Sequence, residues 1–211
     1  MNTIDFPQGS PEWLASRAGR VTASRINDVM AKIKTGEAAA RRDYKFEIVT
    51  EILTGAPTPS IFQNDAMKWG NEQEPFARAA YEVYAGVLVD QVGLVLHPTI
   101  ERGAASPDGL VNTLSLVEIK CPKTSTHIAY MMDGGVPKQY QNQMLWQMCC
   151  CERTSCDFVS FDPRLPEDLQ MFVAPFSIDT NRVEEIENEV RQFLMEVDEI
   201  VNRLRNRAVA A

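Results

Sequence analysis

The sequence predicts an α/β protein in which a small central mixed β-sheet is flanked by α-helices. Three observations carry that expectation. Short apolar runs near 87–90, 93–97, 114–120, 157–161 and 169–176 have strand length and break at turn residues. Longer stretches between them repeat apolar residues every three or four positions, the helical period. The last of these, from about Thr180 to Arg207, lines up Val183, Ile186, Val190, Phe193, Leu194, Val197, Ile200, Val201 and Leu204, a stripe that must pack on its own domain or on a neighbouring subunit.

The 211 residues are enough for one sizeable core, and no low-complexity linker divides them, so a single domain over 1–211 is expected. The N-terminus lacks a basic-then-apolar leader and no apolar run reaches membrane-span length, which predicts a cytoplasmic setting and no membrane contact. The cysteines number five, with Cys149, Cys150 and Cys151 consecutive, a pattern that suits reduced, mostly buried thiols rather than a disulfide framework. A net charge of −8 excludes adhesion to DNA over the whole surface. Residues 1–45 nevertheless hold eight basic against five acidic side chains, and residues 178–211 hold five against eight. The first segment is expected to face nucleic acid and the last to face away or toward another subunit.

Taken in order, Ser10 and Pro11 start a short helix that Gly19 ends, with Trp13 and Arg17 on one side. Thr22 reads as the cap of a second helix, roughly 23–32, whose N-terminus with Thr22 and Ser24 favours an anion. Plain capping is the alternative for those two hydroxyls, and a surface ion pair is the alternative for Arg17. A helix over 37–53 stops at the Gly55 to Ser60 stretch. Helical spacing resumes from Asp65 to Tyr84, crossing Pro75, which either kinks one helix or begins another. Helices are also expected over 124–132 and 137–150, with Trp146 in the core. His97 and His127 stand alone in sequence, which argues against a zinc site or a histidine-based hydrolase.

The chemistry concentrates at 106–123. Asp108 lies in a Pro107-Asp108-Gly109 turn, and Leu114 to Lys120 reads as a strand ended by Pro122. Strand alternation puts Glu118 and Lys120 on one face and points Ile119 into a core. If the turn folds back on the strand, Asp108 and Glu118 hold one hard divalent cation, with Lys120 beside it. Mg2+ suits such a site, because it takes a few carboxylate oxygens and keeps waters and substrate phosphate for the rest. That set is suited to phosphodiester hydrolysis. Lys120 would then act as a base toward water or as a fixed positive charge, and the sequence leaves both open.

Ser106-Pro107-Asp108-Gly109-Leu110 followed by Glu118-Ile119-Lys120-Cys121-Pro122 resembles the motif of the PD-(D/E)xK nucleases, in the lambda exonuclease branch of YqaJ-like viral recombinases. Three further segments resemble that family in the same order. These are Trp13 to Ser24, the Trp69-Gly70 to Arg78 stretch containing Glu74, and Gln141-Asn142-Gln143 with Trp146. The resemblance implies a restriction-endonuclease-like core and a 5′-to-3′ exonuclease of linear double-stranded DNA, releasing mononucleotides and leaving a 3′ single-stranded tail. It implies that Asp108, Glu118, Glu74 and the Ile119 backbone carbonyl hold one or two Mg2+ ions, with Mn2+ as a substitute. Lys120 and Gln141 would complete the catalytic set, Gln143 being the second choice for Gln141. Arg17, Thr22 and Ser24 would bind the 5′-terminal phosphate, and Met67 lies where a strand-separating wedge is expected. A homotrimeric ring, a phage-type single-strand annealing partner and a bacterial host cell are implied in the same way. The rival readings are an endonuclease with the same metal site and a catalytically inactive DNA-binding or annealing module. An iron–sulfur exonuclease is disfavoured, because every cysteine lies at or after Cys121.

Overall fold

The computed structural model describes residues 1–59 and 65–209. It contains two small mixed sheets with helices against them. One sheet has the order β1 (Asn2–Ile4), β4 (Leu94–Leu96), β5 (Gly103–Ala105) and β2 (Val21–Thr22), with only β5 and β2 parallel. The other has the order β3 (Val89–Asp90), β6 (Gly109–Val111), β7 (Ser115–Lys120), β8 (Ser155–Phe161) and β9 (Met171–Ser177). There only β7 and β8 run parallel, joined by the crossover through α5 (Thr124–Asp133) and α6 (Lys138–Cys151). Parallel neighbours need such a long connection, and the helices it supplies cover the sheet.

Strand β7 separates two cores. Val117, Ile119 and Cys121 join a small cluster with Ala77 and Tyr81 of α4 (Asp65–Ala85). Leu116 faces the large cluster built from α6, from α2 (Ile26–Val29), from α3 (Ala39–Thr54) and from α7 (Thr180–Val209). Ile119 therefore points into a core, as the alternation predicts, and Glu118 points toward α6. Trp146 on α6 is fully buried, and Gly103 is what admits it: a Cβ there would stand 2.8 Å from the indole.

The stripe on α7 belongs to its own domain. Ile186, Val190, Phe193, Leu194, Val197 and Val201 are all buried, and Phe193 stacks on Tyr44 of α3 at 5.5 Å. This packing corrects the expected charge layout. Arg41 and Lys45 of α3 pair with Glu196 of α7, and Lys32 pairs with Glu189, so much of the basic N-terminal segment neutralises the acidic C-terminal one rather than nucleic acid.

Other boundaries also moved. The helix expected over 23–32 is a 3-10 turn, Ala23–Arg25, followed by the single turn of α2, and Thr22 makes no side-chain cap. Pro75 lies inside one helix, α4, rather than starting a second. Strands β1, β2, β5 and β6 are too short to show a period. The five thiols are free and all but Cys149 are buried. His127 is a core residue, with Ser160 Oγ at 2.7 Å from Nδ1 and the Leu169 carbonyl at 2.9 Å from Nε2. Among the described residues, no helix is long and apolar enough to cross a membrane.

Partial burial opposes ionisation of Glu196, but Lys45 and Arg41 outweigh it and hold its carboxyl below the ordinary value of 4.5. Glu196→Gln is expected to lower stability by about 1–2 kcal/mol at pH 7, measured by urea unfolding. Because that carboxyl is depressed in the fold, the deficit should be full above pH 4.5 and fade as acid protonates Glu196 in the parent.

Candidate active site

Helix α1 (Pro11–Arg17), capped by Ser10 whose hydroxyl accepts from Trp13 N, projects two side chains toward the sheets. The Trp13 indole N–H donates to Ser106 Oγ at 3.0 Å, two residues before Asp108. Arg17 stacks over the Trp13 ring at 4.2 Å and reaches Thr22 Oγ1 at 3.3 Å and Ser24 Oγ at 3.5 Å. The structure thus brings Arg17, Thr22 and Ser24 together, with the Thr22 hydroxyl facing Arg17 rather than capping a helix. Burial lowers the Arg17 guanidinium from its ordinary value. A guanidinium remains charged under that pressure and is a strong phosphate ligand.

Across the cleft, the turn before β6 does fold back on β7. Asp108 Oδ2 accepts the Ile119 N–H at 2.6 Å. Glycine follows Asp108 because a Cβ at 109 would fall 2.0 Å from Val89 Cγ1. Glu118 is 0% exposed and is gripped by three donors: Gln143 Nε2 at 2.5 Å, Gln147 Nε2 at 2.7 Å, and the Lys120 ammonium. Lys120 also lies over the Tyr140 ring at 5.3 Å. Burial disfavours the Lys120 ammonium, but the carboxylates of Glu118 and Asp108 outweigh it and raise Lys120 above its ordinary value. The protein's own charges thus favour the ammonium form of Lys120.

The expected ligand set is only partly assembled. Glu74 lines the same cleft, yet its carboxylate is engaged by Arg78 one turn along α4. Among the described residues, no three His, Cys, Asp or Glu side chains gather tightly enough to enclose an ion. Asp108 and Glu118 still fit a hard divalent cation, since they are oxygen donors and together outnumber the single ammonium facing them. Burial, and next the Glu118 charge, push Asp108 up to about 8 against the pull of Lys120. A cation between the two carboxylates would supply the missing positive charge.

Gln141 is a correction. Its amide donates to the Val136 carbonyl at 3.0 Å, and it does not line the cleft, whereas Gln143 and Gln147 do. Helix phase explains this: positions 143 and 147 are one turn apart on the face toward Glu118, and 141 is two residues out of phase. Gln147 was missed from sequence, although its spacing from Gln143 was a usable signal. Tyr140 and the Trp13–Ser106 link carried no sequence signal for this role. Cys121 lines the cleft too, but burial and the nearby Glu74 and Asp108 charges push its thiol up to about 12, which excludes it as a nucleophile.

Arg17, Thr22, Ser24, Glu74, Asp108, Lys120, Gln143 and Gln147 line one cleft of about 510 Å³, and Glu118 lies fully buried beneath Lys120, Gln143 and Gln147. Met67 is 48% exposed and lies at its edge. A mixed sheet presenting an Asp turn and a Glu-x-Lys strand beside a basic pocket defines the restriction-endonuclease-like class. The YqaJ-like viral recombinase domain model matches residues 12–155, and the chain belongs to that family. It is similar to the alkaline exonuclease LHK-Exo of Laribacter hongkongensis, with 45% identity and a TM-score of 0.89 over 95% of this chain and 99% of that one. LHK-Exo has also been solved in complex with dAMP, with the same measures of similarity. A phage-related exonuclease of Haemophilus somnus 129PT shares the fold, with a TM-score of 0.69 at 15% identity over 88% of this chain and 96% of that one. An uncharacterized protein, R354, of Acanthamoeba polyphaga mimivirus is 29% identical over 168 residues, or 73% of this chain. The chain spans only 29% of the length of that relative.

Because the fold raises the Asp108 carboxyl, ionising it weighs against the folded state increasingly as pH climbs from 3.8 to about 8. Asp108→Asn is therefore expected to melt at a higher temperature than the parent at pH 7 in EDTA. The gain should disappear below pH 3.8, where Asp108 is protonated in both states.

Proposed function

We propose that this protein is a divalent-metal-dependent 5′-to-3′ exonuclease that degrades one strand of linear double-stranded DNA to mononucleotides and leaves a 3′ single-stranded overhang. The observation that carries this reading is the shared cleft. A guanidinium flanked by two hydroxyls faces a carboxylate–lysine cluster across about 510 Å³, a volume on the scale of a nucleotide. The family membership and the 45% identity to an alkaline exonuclease support it. The existence of a dAMP complex of LHK-Exo is in keeping with a nucleoside monophosphate as the product class.

In this reading Arg17, with Thr22 and Ser24, binds the 5′-terminal phosphate, which fixes the strand end. Asp108, Glu118 and the Ile119 carbonyl hold Mg2+, or Mn2+ in its place, and Glu74 joins them by exchanging its Arg78 contact. The bound ion would neutralise the scissile phosphate and stabilise the leaving 3′ oxygen. Lys120, beside the same phosphate, acts on the attacking water either as a base or as a fixed positive charge that orients it. Gln143, which lines the cleft, holds Glu118 Oε1 by a hydrogen bond. Met67 would wedge the terminal base pair. A homotrimeric ring around the DNA and a single-strand annealing partner complete the proposal. A ring suits an acidic chain because enclosure replaces electrostatic adhesion in holding the duplex.

The test is an end-labelled linear duplex, with and without a 5′ phosphate, incubated with Mg2+ or EDTA. Mononucleotide release only with Mg2+, and faster from phosphorylated ends, is expected. Equal cleavage of closed circles would overturn it. Lys120→Ala should reduce turnover by about 1,000-fold while leaving Mg2+ binding by calorimetry largely intact. Arg17→Ala should remove the preference for a 5′ phosphate, a loss of about 10-fold or more in kcat/KM on phosphorylated ends only.

A further inference from the structure

Gln147 is only 1% exposed, on a helix whose neighbouring buried positions Met144, Leu145 and Met148 are apolar. A Leu or Met of similar volume would fill its place without any polar atom to satisfy. Instead the Gln147 amide donates to Glu118 Oε2 at 2.7 Å, while Gln143, one turn earlier, donates to Oε1 at 2.5 Å. The two amides hold the carboxylate by both oxygens, which fixes its plane.

The other half of the Gln147 amide is the more informative. Its Oε1 is buried with no hydrogen-bond partner. Rotating the amide does not cure this, because it would set one oxygen against Glu118 Oε2. An unmatched buried acceptor is unfavourable, so a partner that protein atoms do not supply is implicated. Gln147 lines the cleft together with Asp108 and Lys120.

We propose that Gln147 is a positioning residue for the metal centre: its N–H locks Glu118 Oε2, and its oxygen accepts a hydrogen bond from a water held beside Glu118. This rests on the reading of Asp108 and Glu118 as metal ligands. Gln143 and Lys120 both act on Oε1, so Gln147 is the side chain that restrains Oε2. Its loss frees the carboxylate to turn and weakens cation binding more than it weakens the fold. Partners that orient metal-binding side chains typically change metal affinity or activity by about 10- to 100-fold when removed.

The experiment is a Mn2+ titration of the full chain without DNA, read by the electron paramagnetic resonance signal of free Mn2+, for the parent, Gln147→Leu and Gln147→Met. Both variants should bind Mn2+ at least about 10-fold more weakly. Their melting temperatures in EDTA should change little beside the loss of Mn2+ affinity, since removing the unmatched oxygen offsets part of the donor that Glu118 loses. Exonuclease activity of either variant should recover as Mg2+ is raised, with kcat approaching the parent's. Two variants of different shape guard against one failing to fold. Parental Mn2+ affinity in a folded variant overturns this inference alone. Absence of Mn2+ binding in the parent defeats the metal reading itself, and this inference with it.

Discussion

Glu118 is the constraint on which the rest of the site depends. A carboxylate with no solvent exposure is tolerable only when donors surround it, and here two amides of α6 and the ammonium of Lys120 do so. That requirement fixes the distance and rotation of α6 against β7. It places Lys120 at the strand end beneath the Tyr140 ring. It also leaves Asp108, anchored on the Ile119 N–H, as a second acid in a region short of positive charge. The buried polar cluster weakens the site as a core, a trade common where function opposes stability.

What the sequence made legible followed from strong local rules. The alternation of β7 put Glu118 and Lys120 on one face and Ile119 on the other, and the stripe of α7 announced a long amphipathic helix. The Asp108 turn was readable because Pro and Gly bracket it. What stayed hidden required tertiary partners. β1, β2, β5 and β6 have two or three residues each, too few for a period to emerge. The roles of Thr22 and Gln141 were assigned from helix position and family motif, yet neighbours decided them: Arg17 took the Thr22 hydroxyl, and the Val136 carbonyl took the Gln141 amide. Glu74 lines the cleft, but its engagement by Arg78 has no signature beyond a common helical spacing.

The charge distribution was the least legible feature. Counting basic residues over 1–45 suggested a surface for nucleic acid, whereas α3 and α7 use two of those eight charges, Arg41 and Lys45, to brace each other through Glu196. Arg17 is the member of that segment committed to the cleft. For an acidic chain this is a coherent arrangement, with positive charge placed at one point of contact instead of spread over a face.

Trp13 joins the two walls of the cleft. Its ring supports Arg17, and its indole N–H is tied to Ser106, which precedes the Asp108 turn. A single rigid aromatic therefore acts as a gauge between the Arg17 guanidinium and the Asp108 turn. In the proposed enzyme, that fixed separation sets how far from its end a strand is severed, so each step advances by a constant increment written into the architecture rather than into the DNA.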